Sequence, residues 1–200
     1  ISALAYFPPF VGTLVVTCAL VAPMLIFRGT GTHLDATNKP LSSVRNNLVF
    51  ALISFLVILT WAVIFVLLKS KTHFLGDGYA LMGNLAKDVP FAKPTEFGTE
   101  VVVQWVKHLV GRAPDSALLS YQIVSVGTGV LFLISVAIFA GMLLERLRDR
   151  LLLIFGPSSG GYMLLFFGYV ENYSLLCLSI SIFLMVGVLI ARGKLNRWFI

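Results

Sequence analysis

A chain of 200 residues that is 58% hydrophobic and only 12% charged, with mean hydropathy +0.93, is not an ordinary soluble domain, in which about a quarter of residues are charged. Its formal charge of +6 does not describe a nucleic-acid binder either, because the basic residues gather at the ends of apolar runs and form no stripe with interleaved aromatics. The apolar runs approach bilayer length without alternating in period two, so an all-α polytopic membrane protein is expected in preference to a closed barrel.

In chain order, about five transmembrane helices are expected, over residues 4–27, 48–68, 118–144, 151–169 and 175–191. The first contains Pro8, Pro9 and Pro23, so it is kinked or begins late. Segment 28–47, with Gly29, Gly31, Pro40, Ser42 and Ser43, reads as an irregular cytoplasmic loop. His33 and Asp35 within it have no further ligand nearby and read as solvated loop residues. Cys18 and Cys177 lie inside apolar runs without metal-ligand spacing and read as small core residues. The chain starts at Ile1, which fits a portion of a longer protein, and no charged segment with a cleavage site precedes Leu4. Three regions follow: an additional N-terminal span and loop (1–47), a transmembrane module (48–191) with a long outer loop (69–117), and a basic cytoplasmic tail (192–200).

Positive charge sets the expected orientation. Segment 145–150 carries Arg146, Arg148 and Arg150, the tail carries Arg192, Lys194 and Arg197, and the first connection carries Arg28, Lys39 and Arg45. With five spans all three segments fall on one side, and short basic loops belong in the cytoplasm. Loop 69–117 dilutes six Lys/Arg among five acids and is expected outside, together with the short turn 168–174. The fourth span is interrupted by Gly156-Pro157-Ser158-Ser159-Gly160-Gly161, read as a Pro/Gly kink tolerated by close packing, with a break lining a cavity as the alternative.

Loop 69–117 is too long for a simple connection, and its Phe91, Phe97, Trp105 and valines are not the composition of a disordered linker. An amphipathic helix is expected over 99–110, with Thr99 as N-cap and Gly111 as its end. Val102, Trp105, Val106 and Leu109 share one face and Glu100, Gln104, Lys107 and His108 mostly the other. Such a helix suits the membrane interface, or packs on the spans as a lid. Either way it roofs the region where Asp77 leaves the membrane, in Gly76-Asp77-Gly78-Tyr79. The flanking glycines favour a tight turn that brings backbone close to a ligand, though Asp and Gly are also ordinary turn formers. A second acid, Glu171, sits in Phe166-Phe167-Gly168-Tyr169-Val170-Glu171-Asn172-Tyr173-Ser174, between two apolar spans and among four aromatics. A turn does not need a carboxylate there; it serves either a function or an ion pair with Lys69, Lys71 or Arg112. Two acids on one membrane face below an interfacial helix point to a cleft between the spans.

This layout resembles the GT-C superfamily of membrane glycosyltransferases, which use polyprenyl-phosphate-linked sugars as donors. Its members share a span, a large first outer loop with a catalytic Asp and an interfacial helix, two spans joined by a short cytoplasmic turn, and a second outer loop with another acid. Residues 48–68, Asp77 and the helix 99–110 correspond to the first half, and 118–144, 146–150, 151–169 and Glu171-Asn172 to the second. The resemblance covers 48–191 and rests on architecture plus two short motifs. It departs from the pattern in three ways: Asp77 has no second acid beside it, a span precedes the module, and five spans stand where members continue with further helices and often a soluble domain.

The resemblance implies that Asp77 is the general base for an acceptor hydroxyl, a role that typically contributes on the order of 100- to 10,000-fold in rate. Glu171, the second catalytic residue, orients the surroundings of Asp77, holds the acceptor or binds a divalent cation. Tyr79 and Asn172 bind substrate, and Lys71, His73 and Arg112, with Lys69, face the leaving phosphate, although headgroup-level anchoring of span ends also accounts for each of these cations. No metal ligands are assigned. The implied partners are a polyprenyl-phosphate-linked sugar donor, membrane lipids, and a missing C-terminal portion or a partner subunit, with no nucleic acid. The expected location is a prokaryotic plasma membrane. Two other classes use the same residues: a transporter or channel subunit with Asp77 and Glu171 as cation or proton sites, and a non-catalytic scaffold with both acids in salt bridges.

Overall fold

A computed structural model describes residues 40–70, 77–87, 97–111 and 115–195. The expected span 4–27 and the tail beyond residue 195 lie outside the described residues. The elements are α1 (Pro40–Leu67), α2 (Gly78–Ala86), α3 (Phe97–Val110), α4 (Ser116–Leu143), α5 (Leu147–Ser158), a 3-10 helix (Gly161–Phe166) and α6 (Tyr173–Ala191), with no strand among the described residues. Three helical stretches, Val44–Leu67, Ser116–Leu143 and Tyr173–Ala191, are long and apolar enough to cross a membrane. They carry large apolar side chains that no protein covers, at helical spacing: Leu48, Leu52, Phe55, Leu59 and Val63 on α1, and Leu176, Ile180, Phe183 and Leu184 on α6. In water such stripes drive aggregation; in hydrocarbon they are the required outer surface. The described residues are all-helical, and their three long apolar helices make this a membrane-embedded protein.

Two expectations need correcting. Helix α1 reaches back to Pro40, into the segment read as irregular loop. Proline is well tolerated at the first helical position, and the Ser, Arg and Asn residues that follow give hydropathy no apolar signal to register. Segment 151–169 is not one continuous helix. It runs as α5, which ends at Ser158, and then as the 3-10 helix. Pro157 has no N–H to continue the ladder. The Ser158 and Ser159 hydroxyls donate to the Phe155 and Gly156 carbonyls at 3.0 and 2.8 Å, and Tyr162 Oη donates to the Pro157 carbonyl at 2.6 Å. The interruption therefore supplies partners for the carbonyls it exposes.

The chain packs as two compact units. In the first, formed among the described residues by 40–56 and 136–163, Arg150 is the tie. Its Nε donates to the Leu144 carbonyl at the end of α4, its Nη1 donates to Asn47 Oδ1 on α1, each at 2.6 Å, and its guanidinium lies 5.4 Å from the centre of the Phe50 ring. A cation at the C-terminal end of a helix satisfies carbonyls that have no helical partner.

The second unit holds 57–135 and 164–195 and is built around a set of aromatic rings. Phe65 meets Phe166 and Phe167 edge-on, with centroids 6.0 and 5.2 Å apart, and Phe132 stacks on Phe166 at 5.5 Å. Gly129 of α4 lets these rings approach the helix, because a Cβ there would stand 2.5 Å from Phe166 Cβ and 2.8 Å from Phe65 Cε2. Hydrogen bonds fix the chain around the rings: Ser70 N–H to the Phe167 carbonyl (2.7 Å), Gln122 Nε2 to the Ser70 carbonyl (2.9 Å), and Ser125 Oγ to the Leu165 carbonyl (2.8 Å). Together they seat the turn that carries Glu171.

Candidate functional site

Asp77 directly precedes α2. Its carbonyl accepts the Leu81 N–H at 2.9 Å, while its exposed carboxylate is not used to cap the helix. Gly78 is the first residue of α2, is buried, and does not have the positive φ of a glycine turn. Gly76, the other glycine of the Gly-Asp-Gly turn, lies outside the described residues. Tyr79 is exposed on the same first turn.

Glu171 is half-buried in the turn between the 3-10 helix and α6. Of the four aromatics around it in sequence, Phe166 and Phe167 are buried in the ring cluster, whereas Tyr173 is exposed. Gly168 enters the turn at φ +70°, a left-handed conformation that glycine adopts without strain, and its N–H donates to Ser125 Oγ at 3.1 Å. A Cβ on Gly168 would stand 3.2 Å from Cβ of Lys69, so the exposed Lys69 side chain leaves the backbone beside this turn. Asn172 is only 7% exposed, and its carbonyl accepts a hydrogen bond from Thr99 Oγ1 at 3.3 Å. Lys71, His73 and Arg112 lie outside the described residues.

The helix expected over 99–110 begins two residues earlier, at Phe97, and ends as expected before Gly111, whose φ is +87°. Thr99 is inside the helix and ties it to the Glu171 turn instead of capping it. Its orientation is the more consequential result. Phe97, Val101, Trp105 and Leu109 face outward, with Trp105 64% and Leu109 67% exposed. Thr99, Glu100 and Val103 are buried, and Lys107 Nζ donates to the Leu85 carbonyl near the end of α2. The helix turns an apolar stripe out and part of its polar side in.

One small core joins these pieces within the second unit. Leu81 and Leu85 of α2, Val103 of α3, Ala117, Tyr121 and Val124 of α4, and Val170 of the turn pack as a single cluster. The helix that starts at Asp77 and the turn that holds Glu171 are thereby set around the same side chains, although 94 positions separate the two acids in sequence (171 − 77).

Beside this core lies a cleft that sequence reasoning missed. Its walls are Leu81, Asn84, Leu85, Glu100, Val103, Gln104 and Tyr121, and it measures about 260 Å³ with its open mouth. Glu100 is 8% exposed. The sequence put Glu100 on the face opposite Trp105 and left open which of the two faces packs. Among the described residues no group of three or more His, Cys, Asp or Glu gathers as a metal site. No protein-family model matches the chain, and neither a curated protein nor a solved structure matches it.

Proposed function

We propose that this chain is the N-terminal part of a GT-C-like membrane glycosyltransferase that moves a sugar from a polyprenyl-phosphate donor to an acceptor hydroxyl on the outer face of the membrane. The observation that carries the reading is the shared core of α2, α3 and the 168–172 turn. It sets the two acid-bearing segments around one set of side chains, beneath a helix whose outward face is apolar. Asp77 then takes the proton from the acceptor hydroxyl as that oxygen forms its bond to the anomeric carbon, and the glycosidic electron pair leaves with the polyprenyl phosphate. Charge grows on that phosphate, and Lys69, Lys71, His73 and Arg112 are the cations of the loop that can meet it. Glu171 and Asn172, with Tyr79, hold the acceptor or orient the base.

In this reading five spans place loop 69–117 outside a prokaryotic plasma membrane, with the basic segments 145–150 and 192–200 in the cytoplasm. The helix α3 lies at the interface, its Trp105 face toward lipid.

The interruption of segment 147–166 also suits a transporter with a discontinuous helix. One substitution separates the two classes and the scaffold. In lipid nanodiscs, Asp77→Asn is expected to lower sugar transfer from a polyprenyl-phosphate donor by about 100-fold or more while the thermal unfolding temperature is unchanged. Transfer that survives the substitution removes Asp77 as the base.

A further inference from the structure

We propose that Arg45 and Arg146 hold the phosphate of an anionic phospholipid, one acyl chain of which lies along Leu48, Leu52 and Phe55 of α1. Neither the transfer chemistry nor the acids of the outer loop enter into it. Arg45 is the second residue of the membrane-length stretch Val44–Leu67, and Arg146 follows the end of Ser116–Leu143 by three residues. Arginines at the ends of such stretches stand at headgroup depth. Both are exposed, whereas Arg148 and Arg150 are half-buried. Arg150 joins the two ends. Its side chain bonds to Asn47, two residues beyond Arg45, and its N–H donates to the Arg146 carbonyl one turn earlier at 3.2 Å. The Arg150 guanidinium is committed to the fold through Asn47, the Leu144 carbonyl and the Phe50 ring, which leaves Arg45 and Arg146 as the outward arginines of this end.

Helical spacing puts Arg45 at the head of an uncovered apolar row. Leu48 and Leu52 follow it by three and seven residues and Phe55 continues the row, at 68, 57 and 61% exposure. A cation above such a row matches a molecule with an anionic end and a long apolar tail. A free phosphate would use the cation and leave the row idle. A guanidinium can grip two phosphate oxygens at once, and a second arginine at the same level favours a lipid of net negative charge over a zwitterionic one, whose trimethylammonium group it repels. The neighbouring acids do not cancel this charge. Arg45 and segment 145–150 together hold four arginines against Glu145 and Asp149. Asp149 sits in the first turn of α5, where the helix itself stabilises a carboxylate.

The test is native mass spectrometry of the whole chain released from an uncharged detergent and titrated with phosphatidylglycerol or phosphatidylcholine of the same acyl chains. Phosphatidylglycerol is expected to bind about fivefold more tightly or better. Arg45→Gln and Arg146→Gln are each expected to weaken it about fivefold, the contribution typical of one arginine beside an anionic lipid. The control is the pair Arg192→Gln and Lys194→Gln, which removes two exposed charges after α6 and should leave the first bound phosphatidylglycerol unaffected. Equal affinity for the two lipids overturns the proposal. So does equal weakening by the control pair, which marks a general response to net charge. Glycerol 3-phosphate, added in excess, should not displace the lipid; displacement marks a free-anion site and overturns the role of the apolar row. If a glutamine variant fails to fold, alanine at the same exposed position, the residue most favourable to a helix, decides by the same comparison.

Discussion

Gly129 is the position where one methyl group carries the most information. A Cβ built there stands 2.5 Å from Phe166 Cβ, 2.8 Å from Phe166 Cγ and 2.8 Å from Phe65 Cε2, far inside van der Waals contact. Neither ring has room to yield, since both are fully buried, and the nearest atom is the Cβ of Phe166, which moves only with its backbone. Overpacking of this kind typically costs about 1–3 kcal/mol. For a chain of this size that corresponds to a fall of roughly 2–12 °C in unfolding temperature. Gly127, two residues earlier on the same helix, supplies the control: a Cβ there has nothing within 4 Å, and alanine favours the helix over glycine by about 0.5–1 kcal/mol. Thermal unfolding in nanodiscs, followed by intrinsic fluorescence, should therefore show Gly129→Ala clearly destabilised and Gly127→Ala unchanged or stabilised. Equal unfolding temperatures for the two variants would refute the ring packing on α4, and with it the seating of the Glu171 turn.

Two further outcomes follow from the same frame. Gly168→Ala places a side chain at φ +70° and 3.2 Å from Lys69 Cβ, so it should lose about 1–3 kcal/mol in thermal unfolding and reduce transfer by displacing the turn that carries Glu171; wild-type behaviour on both counts would contradict the left-handed turn. With the other two of the three tryptophans replaced by phenylalanine, Trp105 fluorescence should be quenched by lipids brominated near the headgroups and hardly by aqueous iodide, whereas the opposite pattern would place the outward face of α3 in water.

How much of this was legible in the sequence depends on what hydropathy measures. The runs 48–68, 118–144 and 175–191 coincide within a few residues with the membrane-length parts of α1, α4 and α6, because twenty apolar residues in a row have few other solutions. Gly111 was readable as a helix end, since the left-handed conformation it adopts selects glycine. The eight-residue start of α1 before Leu48 was not, because its Ser, Arg and Asn residues have the composition of a loop. The run 151–169 is apolar enough to span but is divided by Pro157 and the glycines around it, and composition alone does not say whether neighbours heal such a kink. The sense of α3 was not legible. Periodicity located its two faces but not which one packs, and in a lipid-embedded protein Trp105 points out and Glu100 in. Asp77 and Glu171 were visible as isolated acids in unusual settings, whereas the burial of Glu100 was not.

The central claim is that Asp77 and Glu171 belong to one site open to the outer face, and side-specific labelling tests it most directly. With Cys18 and Cys177 replaced by alanine, single cysteines at positions 77, 171 and 148 are exposed to a membrane-impermeant maleimide in sealed right-side-out vesicles. Labelling at 77 and 171 without detergent, and at 148 only after permeabilisation, is the expected result. Positions 77 and 171 labelled from opposite sides, or both only after permeabilisation, would contradict an outward-facing site that uses both acids.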